Sequence, residues 1–402
     1  MDPVKRLSGM EAQSDLALDE KQNILQQFSN FMKAAEYKNI EVPIMDNTEL
    51  FLRKSDGQLA PQMYSFRDPI GQQVSLRPEI TTQVMDHYLR QEDNATEQKY
   101  QYQGPVFRFS EGQKIRGQFT QIGAEYIGGN GLSEEIELLG LASSFLSEAG
   151  FASYQCRLAD LSLVNYIIDN FGLSVNSKTK IVENIQILKQ GPDKVQHFAE
   201  RLATTKITGD SNKDAYLSSA IENLSEAQAR QVLSGFLGWV NGSIDEGSLG
   251  RRSHEDVVSR LIDKLRNIDS LDNIQQCLEI VGGLIKINGE PSSAIGQARA
   301  LFQSQSYPLD LIEQFENRIN GLAGKVPTGC ELVVDFGLVK DFGYYTGIIF
   351  EIIELTTNQL IGGGGRYDGL ATLLGANERV NALGFAFDLD KILEIRVEAM
   401  SI

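Results

Sequence analysis

The chain has 402 residues, of which 42% are apolar and 23% are charged, as in an ordinary globular protein. Its 54 acidic residues outnumber its 37 basic residues, so the formal net charge is −17. This excess of acid argues against a nucleic-acid partner, because basic side chains that neutralise phosphates supply most of the affinity of such proteins. The sequence has no run of 18 apolar residues and no apolar core near its start, and it therefore predicts neither a membrane span nor a signal peptide.

Cysteine and histidine are both scarce and scattered. Cys156, Cys277 and Cys330 lie far apart in the sequence, which predicts no disulfide framework and fits the reducing cytoplasm. The three histidines, at positions 87, 197 and 254, do not have the spacing of zinc ligands. The sequence therefore predicts no metal site.

The N-terminal part of the chain begins with a helical pattern and continues with strands. Ile24, Phe28 and Phe31 recur at helical spacing and predict a helix with one apolar stripe, and the segment IEVPIM predicts a strand after it. Between about 63 and 130, strand-like segments are joined by short polar turns. They predict an antiparallel meander, because parallel crossovers need longer connections. A helix that runs to about Gly150 follows.

The pattern changes twice more along the chain. From about 161 to 325 the segments have helical spacing, and from about 331 strands return before a last helix from about Asp388. We therefore predict an α+β fold in which residues 1–160 and 326–402 form a core domain, an antiparallel sheet with flanking helices. Residues 161–325 are predicted to form a mostly helical insertion domain.

Polar side chains on the predicted strands are one chemical signal. The segment FRFSEGQKIRGQFTQIGAE predicts a hairpin, and strand alternation puts Gln121, Gly123 and Glu125 on one of its faces. The pattern leaves open whether this face meets water or lines a site. The segment LRPEITT presents a second polar row, with Arg77, Glu79 and Thr81 in alternation.

A glycine run is the other signal. Four consecutive glycines in GGGGRYDGL are costly in backbone entropy and favour the close approach of a ligand or a neighbouring strand. Their spacing is not that of a phosphate-binding or dinucleotide-binding loop, and Arg366 and Asp368 can simply pair with each other. Tyr345 is of a type more often found in a core than against a ligand. The residues by themselves thus predict a site for a small polar ligand and identify no catalytic set.

Five segments, in this order, resemble the catalytic core of histidyl-tRNA synthetase, a class II synthetase. They are LRPEITT, FRFSEGQKIRGQFTQIGAE, GYYTGIIFE, GGGGRYDGL and LGFAFDLDKIL. The second is similar to motif 2 of that family and the last to motif 3. The resemblance covers residues 1–160 and 326–395, and it implies a class II synthetase-like fold.

The departures from the synthetase pattern concern activation of the amino acid. Lys340 stands where the synthetase has an arginine that helps this step, and Asp390 and Lys391 replace the Glu-Arg pair that ends motif 3. An ammonium cannot reproduce the bidentate grip of a guanidinium on phosphate. Few residues follow Lys391, and we expect them to leave no room for an anticodon-binding domain.

The regulatory subunit of ATP phosphoribosyltransferase, a paralogue of the synthetase, lacks the same parts, and the ending GFAFDLDKIL resembles the ending of that family. That resemblance implies a cytoplasmic, non-catalytic protein of histidine biosynthesis without a cofactor, a homodimer or larger. It also implies assembly with the short catalytic subunit, L-histidine as effector and no tRNA partner. A divergent histidyl-tRNA synthetase without the anticodon-binding domain is the first alternative, and a histidine-binding scaffold with another partner is the second.

The same resemblance implies a histidine site and an interface. The residues expected to receive the α-amino and imidazole groups or to line the ring slot are Glu79, Thr81, Gln121, Glu125, Tyr345 and Tyr367. Arg108 and Lys340 are candidate contacts to a phosphate, a nucleotide or a carboxylate. The motif 1 region, about 15–56, implies a homodimer interface that includes the stripe of Ile24, Phe28 and Phe31, although such a stripe can also pack on its own sheet.

Overall fold

A computed structural model describes residues 16–55, 59–91, 96–109, 117–129, 131–203, 226–241, 269–338 and 345–400, and the single residues 4, 10 and 224. The chain divides into two compact units. The first comprises Met1–Leu163 with Leu284–Ile402, and the second comprises Val164–Gly283. Lys340 lies outside the described residues.

The helices, in chain order, are α1 (Leu16–Ala34), α2 (Thr48–Ser55), α3 (Thr81–Leu89), α4 (Leu132–Glu148), α5 (Leu161–Asp169), α6 (Val175–Glu183), α7 (Pro192–Ala203), α8 (Glu226–Asn241), α9 (Leu271–Ile285), α10 (Pro291–Ser304), α11 (Asp310–Ala323), α12 (Leu370–Leu373) and α13 (Leu389–Met400). The strands are β1 (Lys38–Asn39), β2 (Met45–Asn47), β3 (Ser65–Arg67), β4 (Gln73–Leu76), β5 (Gln98–Phe107), β6 (Gln118–Ile127), β7 (Tyr154–Asp160), β8 (Asn288–Gly289), β9 (Cys330–Asp335), β10 (Ile348–Glu354), β11 (Gln359–Arg366) and β12 (Ala382–Asp388).

A large, mostly antiparallel sheet is the frame of the first unit. Over the described residues its strand order is β1-β5-β6-β12-β11-β10-β7-β9-β8. The pairs from β5 to β7 are antiparallel, while β1 with β5 and β7 with β9 are parallel. A smaller antiparallel sheet has the order β2-β4-β3. The structure therefore confirms the predicted α+β fold with a central antiparallel sheet.

The second unit is helical in its described part. Ser174 caps α6, because its side chain accepts a hydrogen bond from the Ser177 amide at 3.2 Å. Asp269 in turn accepts hydrogen bonds from the amide and hydroxyl of Ser174, at 2.8 and 2.7 Å. Buried apolar side chains, including Ile181, Ile185, Leu188 and Phe198, provide a core of its own.

The first unit takes in residues that the sequence analysis assigned to the insertion. Residues 284–325, with α10 and α11, belong by their contacts to the first unit. Phe315 of α11 packs against Phe336, with ring centroids 5.4 Å apart, and Arg318 of α11 forms an ion pair with Glu135 of α4. Helical spacing alone does not indicate which unit a helix packs against, so the predicted boundary at 325 differs from this division.

The apolar stripe of α1 packs inside its own unit. Ile24 and Phe28 are buried, and the Phe28 ring lies 5.0 Å from Phe145 of α4 and 6.3 Å from Phe385 of β12. The Phe31 ring is 5.8 Å from Phe145. Ile24 and Phe28 therefore pack on their own unit, the alternative that the pattern left open, because helical spacing is the same whether a stripe faces its own sheet or a second copy. The dimer itself stays a prediction.

The described helices do not resemble membrane spans. None of them combines the length and the apolar character that a bilayer crossing requires.

We expect Phe28→Ala to lower the free energy of unfolding by about 3–5 kcal/mol, because it removes a buried ring and leaves a cavity among aromatic neighbours. The measurement is urea unfolding at several protein concentrations. Since the contacts lie within one chain, the loss should not depend on concentration. Leu18→Ala is the matched control: Leu18 is on the same helix but 40% exposed, and its loss should change stability by about 0.5 kcal/mol or less. An equal effect of both variants would contradict this packing.

Candidate functional site

A cleft of about 240 Å³ lies over the central strands of the large sheet in the first unit. Among the residues that line it are all six predicted histidine contacts and Arg108: Glu79, Thr81, Arg108, Gln121, Glu125, Tyr345 and Tyr367. The remaining predicted contact, Lys340, is outside the described residues. The structure therefore brings seven of the eight predicted side chains to one cavity.

Strand register explains the floor of the cleft. Glu125 of β6 stands opposite Gly384 of β12, which stands opposite Gly365 of β11. A Cβ on Gly384 would overlap the Glu125 carboxylate, and one on Gly123 would lie 2.5 Å from the Tyr102 hydroxyl. The glycines thus leave the space in which a carboxylate and a phenol lie flat against the sheet.

Glu125 is the most deeply buried acid of the floor. Its side chain accepts hydrogen bonds from the Tyr102 hydroxyl at 3.1 Å and from the Tyr367 hydroxyl, and the residue is only 1% exposed. Burial raises the pKa of Glu125 to about 7, against the opposing effect of its hydrogen bonds with Tyr367 and Thr81. This carboxyl group therefore changes charge near neutral pH.

Glu79 is held in a different way, at the start of α3. Its carboxylate accepts hydrogen bonds from the amide of Thr82 at 3.2 Å and from the Thr82 hydroxyl. Lys54 of α2 lies 2.9 Å away in a buried ion pair. Burial alone would raise the pKa of Glu79, but Lys54 and the Thr82 bonds outweigh it, so the pKa lies below its usual value. Glu79 is therefore a fixed negative charge.

The segment LRPEITT forms a turn and not the alternating strand that the sequence suggested. Strand β4 ends at Leu76, and α3 begins at Thr81. Gln121 of β6 fixes this turn, because its Oε1 accepts the Ile80 amide at 3.2 Å. Arg77 does not take part in the cleft: its guanidinium donates to the carbonyls of Pro105 at 2.7 Å and Val42 at 2.6 Å.

A buried ionic network holds the tyrosine of the glycine segment. Arg366 pairs with Asp368 at 3.1 Å, as the sequence analysis had allowed, and also with Glu135 of α4 at 2.6 Å. Glu135 accepts a second ion pair from Arg318. Tyr367 lies between Arg366 and Asp368 in the chain, so both flanks of this tyrosine are anchored.

The other end of the strands brings further charges into the cleft. Glu351 of β10 and Asp388 of β12 line the cleft together with Lys391. Asp388 accepts the Lys391 amide at 3.1 Å, and the Lys391 ammonium donates to the Leu360 carbonyl at 3.1 Å. Alternation along β12 could have assigned Asp388 to the face of Gly384, whereas no motif pointed to Lys54.

Two motif residues have structural partners. Arg108 donates from Nε to the Pro78 carbonyl at 2.9 Å, and its guanidinium lies 5.3 Å from the Phe119 ring centroid. Asp390, which is 3% exposed, accepts the Thr120 amide at 2.6 Å and the Lys21 ammonium at 3.0 Å. Asp390 thus ties α13 and α1 to β6. Within the described ranges no group of three or more potential metal ligands occurs.

Comparisons with known proteins agree on one family. The family model described as histidyl-tRNA synthetase matches residues 14–235 and 251–392. The chain is 24% identical to the histidine–tRNA ligase of Sulfurisphaera tokodaii over 367 residues, which cover 90% of this chain and 68% of the ligase. It is 26% identical to the ATP phosphoribosyltransferase regulatory subunit of Agrobacterium fabrum over 382 residues, which cover 90% of this chain and 94% of that subunit.

A solved structure supports the fold. The ATP phosphoribosyltransferase regulatory subunit/histidyl-tRNA synthetase from Bacillus halodurans superposes with a TM-score of 0.64 at 20% identity. The match covers 98% of this chain and 84% of that one. The predicted class II synthetase-like fold is therefore confirmed.

We expect the buried Glu125 carboxyl to make stability depend on pH. Its pKa is about 7 in the folded chain and about 4.3 when unfolded, so the folded state binds more protons between these values. The free energy of unfolding should therefore fall by about 2–4 kcal/mol as pH rises from 4.5 to 8. Glu125→Gln should remove this fall, as measured by urea unfolding across that range.

Glu354→Gln is the matched control for this experiment. Glu354 is also buried, but hydrogen bonds from Thr357 and Thr356 overcome the effect of burial and lower its pKa. Its stabilising contribution is therefore present above pH 4.5 and lost only at lower pH, so this variant should keep the fall seen in the unmutated chain. If the free energy of unfolding of Glu125→Gln still falls fully as pH rises from 4.5 to 8, the raised pKa does not belong to Glu125.

Proposed function

The chain belongs to the histidyl-tRNA synthetase family, whose model matches most of its residues, and we propose that it is a non-catalytic member of that family. Its proposed role is that of the regulatory subunit of ATP phosphoribosyltransferase in histidine biosynthesis. In this role it binds L-histidine in the cleft and regulates a short catalytic subunit. The proposed setting is the cytoplasm.

The charge at the two ends of the cleft is the observation that carries the proposal. Glu79, Glu125 and Tyr367 offer buried acceptors to the ammonium and imidazole groups of histidine at one end, and Gln121 stands opposite Asp388 in the strand register. The other end holds the carboxylates of Glu351 and Asp388 beside Lys391. Acidic side chains repel a nucleotide triphosphate, and an ammonium does not replace the guanidinium that the synthetase resemblance implies at position 391.

The proposed histidine site follows from the bonding of each acceptor. Glu125 accepts an imidazole N–H, and the Tyr102 and Tyr367 hydroxyls orient its carboxylate from both sides. Glu79, a fixed negative charge, takes the α-ammonium together with Thr81. Tyr345 and Tyr367 line the ring. The glycine floor lets the ligand lie close to the sheet.

The proposed partners rest on charge and on exposed apolar surface. With a net charge of −17, the chain favours a catalytic subunit that presents a basic face. A homodimer is proposed to form around the three-stranded sheet, where Ile44, Met45, Phe66 and Ile70 are between 45% and 79% exposed. Large apolar side chains that cluster at a surface are typical of an interaction site.

A divergent histidyl-tRNA synthetase is the second candidate, and Arg108 favours it. This residue keeps the position of the motif 2 arginine that the synthetase resemblance assigns to the ATP α-phosphate, and it lines the cleft. Its Nε already donates to the Pro78 carbonyl. This one cation therefore does not outweigh the carboxylates of Glu351 and Asp388, which line the same cleft.

We expect Glu125→Ala to weaken L-histidine binding by about ten- to a hundredfold in Kd, because it removes one charged hydrogen-bond partner. Isothermal titration calorimetry of the full chain measures the change. Glu49→Ala is the control, since Glu49 is 63% exposed on α2 and pairs with Arg53. Unchanged affinity in Glu125→Ala would remove Glu125 from the site.

We expect the isolated chain to sediment as a dimer or larger and to form a bigger complex with a short-form catalytic subunit. The transferase activity of the mixture should exceed that of the catalytic subunit alone and should fall when L-histidine is added. Analytical ultracentrifugation and a transferase assay measure the two effects. The absence of both would contradict the regulatory role.

The same preparation separates the two candidates. Histidine-dependent exchange of pyrophosphate into ATP measures adenylate formation, and we expect no exchange above background. Robust exchange would favour the synthetase, because adenylate formation needs the arrangement of cations that Lys391 and Asp388 disrupt.

A further inference from the structure

Lys54 is a buried cation in the cleft to which no motif assigns a role. It lies near the end of α2, its side chain is 2% exposed, and its ammonium is 2.9 Å from Glu79 Oε2. Removing an ammonium from water is costly unless a counter-charge and hydrogen bonds compensate it. Lys54 nevertheless lines the cavity itself, so this buried ion pair forms part of the ligand-binding surface.

The ion pair changes what Glu79 can bind. The Glu79 carboxylate accepts the Thr82 amide and hydroxyl and is already neutralised by Lys54. A ligand ammonium placed on Glu79 therefore also comes close to the Lys54 ammonium. Two cations that share one carboxylate repel each other strongly where water is excluded. An amine without a second charge is thus a poor ligand for this pair.

A ligand carboxylate beside Lys54 relieves that repulsion. An α-amino acid carries its ammonium and carboxylate on one carbon, so its two counter-charges must also be neighbours. Glu79 and Lys54, 2.9 Å apart, meet this condition. Arg108 is a less suitable partner for the carboxylate, because its Nε is committed to the Pro78 carbonyl and its plane lies over Phe119.

We infer that Lys54 binds the α-carboxylate of the ligand and restricts the cleft to free, zwitterionic α-amino acids. The ion pair with Glu79 and the ion pair within the ligand then form an alternating set of four charges. Amines, esters and acyl-adenylates, which lack the free carboxylate, are excluded. This inference rests on the proposed function insofar as the ligand tested is histidine.

The test compares ligands that differ only in the head group. L-histidine, L-histidinol, which has no carboxylate, and imidazole-4-propionate, which has no ammonium, are titrated calorimetrically into the full chain. We expect the unmutated chain to bind histidine about ten- to a hundredfold more tightly than histidinol, the worth of one charged hydrogen bond. In Lys54→Gln this preference should shrink to about threefold or less, because histidine and imidazole propionate lose affinity and histidinol does not.

Lys99→Gln is the matched control. Lys99 belongs to the same unit but pairs with Glu137 outside the cleft, at 2.8 Å, so its loss should leave the preference for histidine unchanged. If Lys54→Gln keeps the full preference for histidine over histidinol, the inference is overturned, although the proposed binding of histidine is not. If Lys54→Gln does not fold, the ligand series on the unmutated chain still decides, since equal affinity for histidine and histidinol overturns it. No binding of any of the three ligands would overturn the proposed function as well.

Discussion

A carboxyl group buried in the middle of an antiparallel sheet is the constraint on which the rest of the cleft depends. Glu125 can lie there because Gly384 on the neighbouring strand has no side chain to collide with it. Two tyrosines from distant segments, Tyr102 and Tyr367, must then donate their hydroxyls to satisfy its oxygens. The burial and orientation of the Glu125 carboxyl therefore depend on the glycine segment and on Tyr367, which follows it. Arg366, next to Tyr367 in the chain, anchors that tyrosine through its ion pairs.

The cleft uses its charges in pairs. Glu79 is kept ionised by Lys54, whereas Glu125 is surrounded by hydroxyl groups and titrates near neutrality. Two carboxylates on the same small cavity therefore differ in charge at the same pH, because Lys54 pairs directly with Glu79, whereas burial dominates at Glu125.

Local patterns predicted the sheet and most of the cleft, and they failed where distant contacts decide. Strand alternation placed Gln121 and Glu125 on one face, and the structure has both in the cleft. The same alternation was wrong for LRPEITT, because the Ile80 amide donates to Gln121 and α3 begins at Thr81, so the segment turns away from a strand. The stripe of Ile24 and Phe28 was equally compatible with packing on its own sheet and with packing on a second copy of the chain. Lys54 was missed because its counter-charge, Glu79, is on another element.

The position of β12 bears on how this protein is made. Strand β12 lies between β6 and β11 in the sheet, and Asp390, just beyond it, accepts the Thr120 amide of β6, 270 residues earlier in the chain. During synthesis β6 therefore leaves the ribosome long before its neighbour exists, and one of its edges stays open while the intervening helices emerge. An unpaired edge strand is a template for mispairing. Pairing along that edge of β6 therefore waits until β12 has been synthesised.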